Sequence, residues 1–188
     1  MARQYPALTP QLAQFMSEQL MFFVATATAD SRVNLSPKGL DALRVVDPRR
    51  VVWLNLTGSG NETAAHVRRM PRMTLMFCSF GSDPLILRLY GEATVLYEEN
   101  PLFADLMARF TGLSPDLTLG ARQIFDMRID LVQTSCGFGV PVCEGMTPRQ
   151  TLADWTRAKG RDGIMQYWRD KNMCSIDGES TGMPVGDD

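Results

Sequence analysis

Apolar residues first recur at helical spacing. In "PQLAQFMSEQL" they fall at Leu12, Phe15, Met16 and Leu20, and Thr9 followed by Pro10 supplies a cap and a first helical position, so a helix is predicted to open the chain. From residue 21 the pattern becomes β-branched and aromatic. "MFFVATAT" and "VNLSPK" flank the turn "ADSR" and predict a hairpin, with Pro37 confining the second strand to an edge. "ALRVV" and "VVWLNL", joined by "DPRR", predict a second strand pair, and a Gly/Ser loop then leads into a helix ending near Met70. "RMTLMFCSF" and "LILRLYGEATVLY" flank "GSDP", and the second of these strands is long enough to bend at Gly91.

The later chain repeats the alternation once. "NPLFADLMARF" predicts a helix, and "RQIFDMRIDLVQTS" alternates with period two through Ile124, Met127, Ile129 and Leu131. Residues 148–171 read as helical with a break near Gly160 to Gly163, and "DGESTGMPVGDD" reads as a loosely held tail. About six short strands with early and late helices imply a closed or partly closed antiparallel barrel, not alternating βαβ units.

Composition narrows the function classes. A net charge of −2 gives no broad attraction to nucleic acid or an anionic membrane, so any anion must be held locally. The basic run "RRMPRM" lacks the interleaved aromatics of a single-strand nucleic-acid site and reads as a solvated face. Four scattered cysteines and one histidine predict reduced thiols and no metal centre. "LMFFVATATA" imitates the apolar part of a signal peptide, but it follows Glu18 rather than a basic start and is too short to span a bilayer. The expected location is the cytoplasm.

Several segments carry candidate chemistry. "LTGSGNETAAHV", with Gly58, Ser59, Gly60 and Asn61, reads either as a capped helix start or as a phosphate cradle. It lacks the P-loop pattern and the dinucleotide-binding glycine pattern. Lys38 in "VNLSPKG" is either a surface charge or, beside Ser36, a cation for a phosphate. His66 reads as a helix-face residue rather than a catalytic base, because no nucleophile motif accompanies it. "QTSCGFG" reads as close backbone approach to a ligand or as a glycine turn with a buried thiol. Arg88, within an apolar strand, would pair with an acid or face an anion.

Taken in order, "FFVATATADSRVNLSPKG", "DPRRVVWLNLTGSGNETAAHV", "RMTLMFCSF" and "LILRLYGEATV" resemble the pyridoxamine 5'-phosphate oxidase-like superfamily of FMN-binding split-barrel proteins. The resemblance runs from about Met21 to Gly139, and is strongest to a branch carrying "SPKG", "GSGNE" and "QTSCGFGVP" together. It implies an α+β fold, mainly β, built on a six-stranded antiparallel split β-barrel. Residues 1–145 would form that domain with its N-terminal helix, and 146–188 a helical extension and tail. It also implies a homodimer with FMN at the subunit interface. The cofactor contacts it assigns are Asn34, Ser36 and Lys38, then Asn55, Ser59, Asn61, Glu62 and Thr63, and finally Arg88, Gln133, Ser135 and Cys136.

Two departures qualify the carry-over. Many members place an Arg-Lys pair where this chain has Gly60 and Asn61, so Lys38 is expected to neutralise the phosphate while the loop cradles it. True pyridoxine-phosphate oxidases also end in an arginine-bearing strand, which "CGFGVPV" and the following helix replace. The expected activity is therefore hydride transfer between a nicotinamide or other reductant and a small organic acceptor. A non-catalytic flavin carrier, or a deazaflavin or haem user on the same barrel, is left open. No catalytic acid or base is assigned, because a flavin performs the transfer itself.

Overall fold

A computed structural model describes residues 2–184. The chain order is β1 (Arg3–Tyr5), α1 (Pro10–Glu18), β2 (Met21–Thr26), β3 (Asn34–Gly39), β4 (Leu43–Asp47), β5 (Arg50–Leu56) and α2 (Glu62–Arg69). It continues through β6 (Arg72–Cys78), β7 (Ile86–Leu96), α3 (Phe103–Met107), α4 (Pro115–Leu119), β8 (Ala121–Ser135) and α5 (Thr151–Lys171). All these strands join one antiparallel sheet, ordered β3-β2-β6-β7-β8-β5-β4, with β1 paired to β8.

This is the curled antiparallel barrel that the pattern predicts and the split barrel that the resemblance implies, with eight strands among the described residues rather than six. Seven of the eight are the segments that alternation marks, and the eighth is β1, which β8 accommodates. The fifteen residues of β8 accept β5 opposite Ala121 to Arg128 and the three-residue β1 opposite Val132 to Thr134, end to end along one edge. Three residues carry no readable alternation, so β1 escapes a pattern search. The five-residue helix α4 escapes for the same reason, although Ser114 caps it through the Leu117 N–H and Pro115 starts it.

The three predicted hairpins form as β2–β3, β4–β5 and β6–β7. Pro37 lies in β3, an edge strand, where its missing N–H does least harm. The sheet curls because β3 and β4, its two opposite edges, are consecutive in sequence. Only residues 40–42 join them, which limits Gly39 and Leu43 to about 14 Å apart. Leu40 and Asp41 make that link at φ of 61° and 55°, in the left-handed region that most side chains avoid. Asp41 is held there by Arg44, at 2.7 Å.

The inward faces of the curled sheet bury Phe22, Val24, Trp53, Leu75, Phe77, Leu87, Leu89 and Phe125. Trp53 stacks on Phe125 at 4.4 Å, and Phe22 stacks on Phe77 at 5.4 Å. A second cluster on the reverse side of β5 and β8 seats α3 through Leu106 and Phe110. The predicted break in the last helix is real, since Gly160 sits at φ 64° and ψ 176°.

The tail is tied down further than expected. Thr181 is fully buried and Met183 packs beside Ile164 and Trp168. Tyr97 donates its hydroxyl to Thr181 O at 2.6 Å, and Asp177 and Glu179 pair with Arg32 and Arg69. Residues 185–188 of the tail lie outside the described residues.

The bend at Gly91 is a bulge where β7 slips register against β8. A Cβ there would meet Arg128 O at 2.0 Å, whereas one at Gly58 would meet nothing within 4 Å. Gly91→Ala is expected to cost about 2–3 kcal/mol and lower Tm by about 5–10 °C. Gly58→Ala should leave the thermal unfolding midpoint in place, and both are read by circular dichroism melting.

Candidate functional site

At the split between the sheet edges, β4 begins at Leu43 opposite Trp53, so the last residues of β5 have no β4 partner. The Leu54 N–H is taken by Ala42 O at 2.8 Å. Beyond that point the inward side chains of β3 face the end of β5 and the loop into α2. The alternation fixes which side chains these are. Asn34, Ser36 and Lys38 stand opposite Thr26, Val24 and Phe22, all of which point inward.

A cavity of about 280 Å³ occupies this position. It gathers Asn34, Ser36, Lys38, Asn55, Ser59, Asn61, Glu62 and Thr63, eight of the twelve candidate residues. Lys38 Nζ donates to Asn55 Oδ1 at 3.3 Å and lies 5.3 Å from the Trp53 ring. Asn34 Nδ2 donates to Thr63 Oγ1 at 3.0 Å. Ser36 Oγ is buried without a hydrogen-bond partner among the described residues.

One lining residue escapes the sequence reading altogether. Arg122, the second residue of β8, is only 5% exposed. Its guanidinium donates to Gly58 O at 3.3 Å, to Gly60 O at 2.9 Å and to Gln123 Oε1 at 2.9 Å. The sequence places Arg122 more than sixty residues from the loop, and only the β5–β8 register, with Asn55 opposite Gln123, brings it there. The one hint in sequence is a charged residue at the start of a strand that otherwise buries apolar side chains. Beside Lys38, the cation expected from the sequence, β8 thus supplies a second one to the same lining.

The two cations share a poorly solvated space. Burial, and after it the nearby Arg122 guanidinium, bring the Lys38 ammonium down to a pKa of about 8 against the opposing pull of Glu62. Burial likewise brings Arg122 to about 10, opposed by Tyr97 and Glu62. Glu62 is the one carboxylate among the described lining residues, and it folds back over Gly60, where an added Cβ would sit 2.3 Å from its Oε2. One carboxylate against two cations, Arg122 buried and Lys38 half-buried, leaves an excess positive charge, which an anion would stabilise. The first residues of α2 add to this, since helix-start N–H groups face outward from the helix end.

The C-terminal segment grips the loop. Trp168 Nε1 donates to Thr57 Oγ1 at 2.8 Å, and Asn172 Nδ2 donates to Gly58 O at 3.0 Å. Asn61, 2% exposed, is committed to this network: its Nδ2 donates to Asn172 O and its Oδ1 accepts from Gln123 Nε2 at 2.6 Å. Its side chain thus holds the loop.

The remaining candidates lie elsewhere. Arg88, Gln133 and Ser135 are on the outward face of β7 and β8, in register with Met76 and Phe23. Arg88 Nη1 donates to Ser135 Oγ at 3.2 Å. Cys136 is exposed. The close backbone approach at "QTSCGFG" is made by Gly137, at φ 67°, against Leu85 N, where a Cβ would sit at 3.0 Å. His66 is a buried helix residue whose Nδ1 lies 3.1 Å from Thr26 Oγ1. Among the described residues no helix is long and apolar enough to cross a membrane, and no group of three or more His, Cys, Asp or Glu could hold a metal ion.

Comparison with known proteins agrees with this geometry. The family model described as pyridoxamine 5'-phosphate oxidase matches residues 8–136. The chain is 38% identical over 192 residues to the pyridoxamine 5'-phosphate oxidase family protein ustO of Aspergillus flavus, covering 93% of this chain and 75% of that one. Among solved structures it resembles HupZ from Group A Streptococcus, with a TM-score of 0.51, 15% identity, and coverage of 66% of this chain and 92% of that chain. It also resembles a FAD-binding protein of Mesorhizobium loti, with a TM-score of 0.51, 13% identity, and coverage of 71% and 96%. The residues matched by the family model and the identity to the Aspergillus flavus protein together show that the chain belongs to the pyridoxamine 5'-phosphate oxidase family.

Proposed function

We propose that this chain binds FMN by its phosphate in the split of the barrel and uses it for oxidation–reduction of a small organic molecule. The observation that carries this reading is the pair of cations, half-buried Lys38 and buried Arg122, on a cavity whose lining offers one opposing carboxylate. The orphaned Ser36 hydroxyl is a further donor awaiting an acceptor. A phosphate dianion answers all three. The structural likeness to a FAD-binding protein is in keeping with a flavin.

Each residue would have its own part in holding the phosphate. Arg122 gives a fixed fork, pinned by the loop carbonyls, and Lys38 gives a point charge that adjusts to the ligand. Ser36 and the first N–H groups of α2 complete the cradle. A bound flavin supplies hydride or electron transfer, so no protein acid or base is needed. At about 280 Å³ the cavity sits at the low end of small-molecule sites, suited to a phosphate and the start of a ribityl chain. The ring would then lie outside it.

A second subunit is the natural cover for that ring. The outward face of β3, β2, β6 and β7 carries Leu35, Phe23, Ala25, Met76, Ile86 and Tyr90 side by side, and Leu35 is 62% exposed. This apolar stripe supports a homodimer, and it would place Arg88, Gln133 and Ser135 against the partner.

Freshly purified protein should show flavin absorption bands and release FMN on denaturation. Arg122→Ala and Lys38→Ala should each weaken FMN binding by at least about tenfold in fluorescence titration, the range for losing a charge-assisted bond. A colourless protein that FMN does not reconstitute would overturn the reading.

The pH dependence has a definite sign. A bound dianion favours charged Lys38, whose pKa in the free protein is about 8, so above that value binding must recover a proton from solvent. The FMN dissociation constant is expected to be lowest between about pH 6, where the phosphate completes its second ionisation, and about pH 8. It should rise about tenfold from about pH 7 to about pH 9, and Lys38→Ala should flatten that rise.

A further inference from the structure

Next to the phosphate cavity, and sharing Lys38 with it, lies a larger cleft of about 590 Å³. Two separate parts of the chain wall it. The β3–β4 link and the start of β2 supply Leu20, Met21 and Leu40, and the segment entering α5 supplies Pro148, Leu152 and Trp155. The volume suits a drug-sized ligand. We propose that this cleft is the substrate site, and that it takes a flat apolar molecule carrying one negative group, such as an aromatic carboxylate. As a substrate site it rests on the flavin reading; as a binding site it stands on the cleft alone.

The charge distribution selects the class. With the Lys38 ammonium turned to Asn55 in the neighbouring cavity, Arg149 is the charge left to the cleft, whose lining has no Asp or Glu among the described residues. In a chain with a net charge of −2 this is a local reversal, and it favours an anion over a cation. The apolar walls favour a hydrocarbon or aromatic body over a sugar or a nucleotide.

The backbone and the aromatic wall add two further arguments. Leu40 is held at φ 61°, where a leucine costs energy and a glycine would not. What leucine adds over glycine is a side chain on the cleft wall. Trp155 is braced edge-on by Tyr167 at 5.1 Å and 79°, so it presents a fixed aromatic surface. Because Lys38 lines both cavities, a ligand in the cleft would lie beside a flavin whose phosphate is held in the neighbouring one.

The test uses the full chain loaded with FMN and titrated with 8-anilinonaphthalene-1-sulfonate, an aromatic anion whose fluorescence rises in an apolar site. One probe per chain should bind saturably, with energy transfer from tryptophan. The uncharged analogue N-phenyl-1-naphthylamine should bind about tenfold more weakly. Leu152→Glu and Arg149→Glu should each weaken the sulfonate probe about tenfold, and Leu40→Gly, which relieves backbone strain and so should fold, should weaken it severalfold. None of the three should alter flavin content. Absent or unsaturable binding, as when a second copy fills the cleft, overturns the site, and so does binding indifferent to these substitutions or to the sulfonate. The expected probe behaviour in a chain that takes up no flavin keeps the apolar-anion site and overturns its assignment to a flavin substrate.

Discussion

The architecture depends on the shortness of one connection. Residues 40–42 join strands that lie at opposite edges of the same sheet, so the sheet must curl until those edges approach. The strained φ values of Leu40 and Asp41 are the local cost, offset by Asp41–Arg44 pairing and by the aromatic stack that fills the curl. Where β4 stops short of the end of β5, the edges do not hydrogen-bond. The resulting split exposes β3 side chains to the loop before α2, and the smaller cavity lies there.

Charge placement follows from that geometry. Lys38 arrives from one edge, Arg122 from the strand beside β5, and the loop carbonyls of Gly58 and Gly60 orient the guanidinium. A buried and a half-buried cation with one carboxylate would destabilise a fold that had nothing to put between them. The C-terminal segment bears on the same point. By bonding Thr57, Gly58 and Asn61, Trp168 and Asn172 fix the loop that holds Arg122, so the extension after the barrel helps to shape the anion cavity as well as walling the neighbouring cleft.

Most of the strands were legible because alternation is a local signal. The hairpins at "ADSR", "DPRR" and "GSDP", the bulge at Gly91 and the break at Gly160 could all be read from residues within a few positions of one another. The set Asn34, Ser36 and Lys38 came from the family resemblance, and the alternation of β3 is the physical reason that the three share one face. Arg122 was not, because its partners lie some sixty residues away and no local pattern encodes the register between β5 and β8. Nor was the commitment of Asn61 to the loop network, which depends on Asn172 arriving from the far end of the chain. The short β1 and α4 were lost to length, and the docking of the tail to contacts with Arg32, Arg69 and Tyr97 that its polar composition does not reveal.

The central claim is that a phosphate dianion occupies the space between Lys38 and Arg122. Calorimetric titration of the flavin-free chain with FMN and with riboflavin tests it most directly, because the two ligands share the ring and the ribityl chain and differ only in the phosphate. Two charge-assisted contacts of about 1.5–3 kcal/mol each predict that FMN binds at least about a hundredfold more tightly than riboflavin. Equal affinities would contradict the account.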